Sequence, residues 1–187
     1  MNIITVDCQD HAILRTKAEG LRDNEFPLAK EIAEKLLAAI KPYLPASGLA
    51  APQIGVNKAM FIFSYDRDPK HLEVVINPTF IPLKEEKSQR WEGCFSTILC
   101  ETGWQIANVY RFEQIKVNYL NLEGKRVERI LEGFGARVFQ HEYDHLQGIL
   151  NIDRQDAAVR SFNSKEEMLH FMKIVKENDA THYMDPK

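Results

Sequence analysis

The chain predicts an α+β fold, and three observations carry that expectation. An amphipathic helical segment opens it, β-branched and aromatic runs follow without helix–strand alternation, and two helical segments close it. In order, "PLAKEIAEKLLAAIKPY" spaces Leu28, Ile32, Leu36 and Ile40 by four, which gives one apolar face, and Pro42 ends the helix. "KAMFIFSYD" and "LEVVINPTFI" are short, aromatic and β-branched between turn residues, the pattern of strands. "FEQIKVNYLNLEGKRVERIL" alternates on both sides of "NLEG" and predicts a hairpin. A helix is expected from Phe134 to about Gln147, with Gly148 placed to cap its end. In "SKEEMLHFMKIVKEN", Ser164 and Glu167 have capping-box spacing, and Met168, Phe171, Met172 and Val175 share one helical face. Residues 179–187 read as a loose tail.

The totals bound the function. With 187 residues, 44% hydrophobic and 27% charged, the chain fits one globular domain, 1–187, able to bury a sizeable core. A net charge of −3 offers no basic footprint for nucleic acid and no pull toward anionic membrane. No apolar run approaches the roughly 18 residues of a membrane span. The first residues lack a basic region followed by an apolar one, so no secretory signal is expected. Cys8, Cys94 and Cys100 are too few and too oddly spaced for a disulfide framework, which favours a reducing cytosol.

The chemistry starts from "QHEYDHLQG", residues 140–148. His141 and His145 stand one helical turn apart on one face, so both imidazoles can reach one ion. Glu142 beside them can handle the proton of an attacking water. Two histidines do not complete a catalytic site, which takes a third protein ligand and an open position. Downstream, Asp153, Asp156, Glu166, Glu167, His170 and His182 all miss the spacing of the extended HExxHxxGxxH pattern. Upstream, "RWEGCFST" places Cys94 after a glycine, although a lone cysteine is commonly just a small hydrophobe. "ASGLAAPQIG" is rich in small residues that let backbone approach a ligand, and its Gln53 can donate to an oxyanion. Alone, that stretch also suits a simple turn.

Together and in order, "GLAAPQ", "EGCFS" and "QHEYDH" resemble the three signature motifs of the peptide deformylase family, and the resemblance extends over nearly the whole chain. It implies mixed or antiparallel strands packed around a central metal-binding helix carrying HExxH, with an N-terminal and a C-terminal helix. It implies removal of the N-formyl group from the N-terminal methionine of newly synthesised proteins, releasing formate. The metal ligands would be Cys94, His141 and His145. Fe(II) is favoured for the single divalent ion, with Ni(II), Co(II) or Zn(II) compatible with one thiolate and two imidazoles. Glu142 would act as general base and then acid. Gln53 and the backbone N–H of Phe95 would stabilise the oxyanion, and the backbone of Gly48 would hold the substrate's main chain. The partners would be N-formyl-methionyl nascent polypeptides at the ribosome exit, met by a monomer in the bacterial cytoplasm.

Supporting roles are implied by the same resemblance. Asp144 is expected to pair with Arg111 and stiffen the metal helix, and Glu92 to organise the Cys94 loop. Phe134 and Val138 would line the methionine pocket, with Arg137 beside it as a structural surface or loop anchor. Cys100, Trp91 and Trp104 are expected to pack, Trp104 with the option of flanking the cleft. The chain departs from the family pattern at Ala46, at Phe95 and most of all in "TILCETGWQIANVYR", which lengthens the route to Arg111 along a segment expected to run beside the cleft. Competing readings are a divergent deformylase-like hydrolase with altered specificity, another HExxH peptidase, and a closed structural metal site. The last has no need of Glu142.

Overall fold

Pro27 sits in the first turn of a helix, where its missing N–H is not wanted, and the helix α1 runs from Phe26 to Ile40. Its apolar stripe, Ile32, Ala33, Leu36 and Ile40, is buried against Leu49, Met60, Ile62 and Ile76. The computed structural model describes residues 3–101 and 103–179; the expected tail from 180 onward, with His182, lies outside them.

The described residues also form eight strands: β1 Gly48–Ala50, β2 Met60–Ser64, β3 Leu72–Pro82, β4 Lys87–Glu92, β5 Trp104–Phe112, β6 Gln114–Leu120, β7 Arg126–Glu132 and β8 Ala158–Phe162. They form a five-stranded sheet, β1-β2-β3-β6-β7, and a three-stranded sheet, β4-β5-β8. Neighbours in both sheets pair antiparallel. Among the described residues, three further α-helices are α2 Phe95–Ile98, α3 Gly133–Leu146 and α4 Lys165–Asp179.

Strand β2 explains why its sequence is apolar without a break. Met60 and Ile62 face α1, while Phe61 and Phe63 point the opposite way into the cluster around Phe139 of α3. A strand covered on both faces has no polar side to alternate with. Phe139 meets Phe61 and Phe63 edge-to-face, with ring centroids 5.1 and 5.5 Å apart. Helix α3 touches strands of both sheets. Gln140 secures that position by clasping the Phe112 backbone, accepting from its N–H at 3.0 Å and donating to its carbonyl at 2.9 Å.

The two strands, the hairpin and all three long helices lie where the residue patterns predict them, within a few residues. The lengthened segment does so only at its start, where Ile98 lies along the cleft. Residues 104–112 are strand β5, the middle of the smaller sheet, and not a loop along the cleft. Trp104 packs with Ile106, Phe162 and Met168. Cys100 is buried and donates to the Ser96 carbonyl at 3.5 Å, and burial pushes its thiol up to about 11. The box before α4 is offset: Ser164 Oγ accepts from Glu167 N–H, while the Glu167 carboxylate accepts from the N–H of Asn163.

Gly148 ends α3 with φ +71°, and a Cβ there would lie 2.7 Å from the backbone carbon of Arg15. Gly148→Ala should therefore lower stability by about 1–3 kcal/mol, through left-handed strain and displacement of the N-terminal segment. Urea unfolding at constant m-value checks this, and an unmoved midpoint would refute it.

Candidate metal and catalytic site

Helix α3 presents Phe134, Val138, His141 and Glu142 to a cleft of about 590 Å³. The spacing is that of one helical face. Strand β4 delivers Glu92, Gly93 turns the chain, and Cys94 caps the N-terminus of α2. Cys94, His141 and His145 each offer a donor atom, and these atoms lie within 4.8 Å of one another. Cys94 Sγ and His145 Nε2 stand 3.3 Å apart. Ligands at about 2.0–2.3 Å from a tetrahedral ion are separated by about 3.5 Å, so the donor set fits one small divalent cation.

The charges around the donors ask for a cation as well. Burial works against charge on His141, yet the adjacent Cys94 and Glu92 hold its pKa well above the usual histidine value. A metal ion beside Cys94 would take the place of the proton that this thiol draws onto His141, while the Nδ1 contact to Glu92 remains. His145 is driven well below its usual value by burial and by His141, so its ring is neutral and can ligate.

Glu92 is the hub beneath the donors. Its carboxylate accepts from His141 Nδ1 at 2.9 Å, from Arg111 at 2.9 and 3.1 Å, and from Arg137 at 2.6 Å. Accepting from Nδ1 fixes the His141 ring with Nε2 toward the other donors. Burial opposes ionisation of Glu92, but Arg111 and His141 hold its carboxyl below the ordinary carboxylate range. Arg137 is not at the surface: it is buried, and it also donates to the Ser88 and Val109 carbonyls, so it anchors β4 and β5 to α3. Asp144 does meet Arg111, and it accepts from Arg154 at 3.0 Å too.

Glu142 is 4% exposed, and its Oε2 has no hydrogen-bond partner. Burial pushes its pKa up to about 7, against the pull of His141 and Arg111. It lies so close to β1 that a Cβ on Gly48 would overlap its carboxylate. Only glycine admits that approach. Gln53 is buried and oriented: its Oε1 accepts from Ala50 N–H at 2.9 Å, and its Nε2 donates to Ser96 Oγ at 3.1 Å and lies 3.6 Å from Cys94 Sγ. The Phe95 N–H opens α2, where helix geometry provides no internal acceptor. Six of the seven predicted site residues thus line one cleft, and the seventh, His145, stands 3.3 Å from Cys94 Sγ at its edge. Missed from sequence were the grip of Glu92 on His141, the Ser96 contact to Gln53, and Met172 of α4 in the cleft wall.

An open cleft with a buried thiol, two imidazoles and an unpaired glutamate oxygen beside them belongs to the chemistry of metal-dependent hydrolases. Known proteins narrow this. The family model described as polypeptide deformylase matches residues 2–161. The chain is similar to the peptide deformylase of Thermotoga petrophila, 37% identical over 158 residues, covering 83% of this chain and 89% of that protein. It is similar to peptide deformylase 2 of Rickettsia conorii, 34% identical over 194 residues, covering 96% and 91%. A Met-Ala-Ser-bound class I type b peptide deformylase from Acinetobacter baumannii superposes with a TM-score of 0.68 at 31% identity, covering 81% of this chain and 99% of that one. The chain belongs to the peptide deformylase family, metal-dependent enzymes that remove the N-formyl group from nascent peptides.

Proposed function

We propose that Cys94, His141 and His145 hold one divalent ion at the cleft and that Glu142, Gln53 and the Phe95 N–H carry the deformylation around it. The observation that supports this best is the juxtaposition of three mutually close donors with a buried, unpartnered Glu142 oxygen. Fe(II) is the favoured ion, and Ni(II), Co(II) or Zn(II) suit the same thiolate–imidazole set. When bound, the ion supplies a Lewis acid and acidifies water. Glu142 accepts the proton of the water that attacks the formyl carbon and passes it to the leaving amine. Gln53 Nε2 and the Phe95 N–H donate to the oxygen that gains negative charge.

The substrate's main chain runs between two sheet edges. β1 borders the larger sheet and β4 the smaller, and Gly48, Trp91 and Glu92 from them line the cleft. An extended peptide can add there as a strand, with the Gly48 backbone as partner. Its methionine side chain occupies the apolar surface of Phe134 and Val138. The relative with Met-Ala-Ser bound makes a formyl-methionyl tripeptide the natural probe. In this reading α3 is the central metal-binding helix of a single domain, and the enzyme works as a cytoplasmic monomer on chains leaving the ribosome. Among the described residues, no helix is long and apolar enough to cross a membrane.

Formate release from formyl-Met-Ala-Ser by anaerobically prepared, Fe(II)- or Ni(II)-loaded protein tests the proposal. Turnover with unformylated peptides instead, or metal binding that survives Cys94→Ala, would favour another HExxH peptidase. Gln53→Ala should lower kcat by about 10²–10³-fold with metal content unchanged, as expected for loss of one oxyanion donor. A kcat within a factor of about two of the parent would remove Gln53 from that role.

A further inference from the structure

The family match ends at residue 161, yet α4, Lys165–Asp179, builds part of the cleft. Its apolar face divides in two. Met168 is buried, and Phe171 packs edge-to-face on Trp91 at 5.2 Å and against Phe162 at 5.6 Å, which fastens the helix to the smaller sheet. Met172 and Val175, one turn on, line the cleft. A Cβ on Gly93 would find Met172 Cε at 3.9 Å and Ile98 Cδ1 at 3.7 Å. Met172 and Ile98 therefore flank the residue that precedes Cys94. Resting on the reading above, methionine is taken up by Phe134 and Val138, and a cleft of about 590 Å³ has room for a peptide segment beyond one side chain. The apolar wall of Ile98, Met172 and Val175 is left to face the peptide residues C-terminal to the methionine.

We propose that α4 is a specificity element: Met172 and Val175, with Ile98, form a wall that favours formyl-methionyl chains bearing an aliphatic side chain at one of the two residues after methionine. Methionine's unbranched, polarisable side chain adapts to differently shaped partners, so the preference is for apolar bulk and not for one residue type. Burying a few more methylenes against such a wall is worth about tenfold in kcat/KM, and it enters through KM.

The test compares formyl-Met-Ala-Ser, formyl-Met-Leu-Ser and formyl-Met-Ala-Leu with the metal-loaded parent, Met172→Ala, Met172→Leu and Leu169→Ala, whose Leu169 is 53% exposed on α4. The parent and Leu169→Ala should prefer one leucyl peptide by about tenfold, Met172→Leu should keep the preference, and Met172→Ala should lose most of it. A parent without preference, or a Met172→Ala preference equal to the parent's, overturns the proposal. Binding of the unformylated products Met-Leu-Ser, Met-Ala-Leu and Met-Ala-Ser, followed through Trp91 fluorescence, runs beside it and needs no turnover. If no peptide yields formate, the reading of the site fails, and the wall is then judged by binding alone. Tighter binding of a leucyl peptide that Met172→Ala abolishes supports the wall; equal affinities refute it.

Discussion

Replacing Glu142 with glutamine should lower formate release from formyl-Met-Ala-Ser by about 10²–10⁴-fold, the range that positioned proton transfer contributes. The carboxylate is buried, one of its oxygens has no partner, and burial raises its pKa to about 7. A base held near the working pH can both take and return a proton. Glutamine keeps the shape that packs against Gly48 but cannot carry that proton. The metal should stay, because the three donor atoms belong to Cys94, His141 and His145. Turnover and metal content measured on the same preparation check the expectation. Activity above about a tenth of the parent's would remove Glu142 from proton transfer, and loss of metal along with activity would give it a part in holding the ion.

Glu92→Leu should have the largest effect on the scaffold. It leaves Arg111 with Asp144 but takes from buried Arg137 a charged acceptor, and from His141 the group that orients it. Removing one partner of a buried ion network costs about 3–5 kcal/mol, since the remaining charges stay desolvated. Loss of the carboxylate behind a ligating histidine should also weaken metal binding by about 10–100-fold. Denaturant unfolding of the metal-free protein and competition with a chelator separate the two effects. Because the folded-state pKa of Glu92 is depressed, its ionic contribution is complete above the unfolded value and is lost only as pH falls through the folded one. The stability gap between parent and variant should accordingly be flat from about pH 6 to 8 as far as Glu92 is concerned. Parent-like stability and metal affinity in Glu92→Leu would show the network to be dispensable.

Much of the candidate site was legible because its residues carry their chemistry in local spacing. His141 and His145 can meet one ion because the helix repeats every 3.6 residues, and Glu142 is drawn in by being next to them. Gln53, Cys94, Phe95 and Gly48 became legible only when three short motifs were taken together. The lengthened segment misled because eight of its residues, Trp104–Arg111, alternate too weakly to announce a strand; β5 exists because β4 and β8 pair with it on both edges and its Ile106, Ala107 and Val109 are buried. Arg137 misled in the same way. A guanidinium in a sequence reads as surface, and it is buried here because Glu92, 45 positions away, meets it at 2.6 Å and the Ser88 and Val109 carbonyls accept from it as well.

Local chain properties were enough for the α+β order of elements, the facing of α1, α3 and α4, and the choice of His141 and His145 as metal donors with Glu142 as base; Cys94 needed the three motifs together. Period and side-chain chemistry travel with the segment that carries them. Packing had to settle that Glu92 grips His141, that Glu142 lies against an edge strand where only glycine fits, and that Met172 of α4 reaches the residue before Cys94. Each depends on the distance between segments far apart in the chain, and such distances are set by packing the two sheets on α3, not by any residue's own preference.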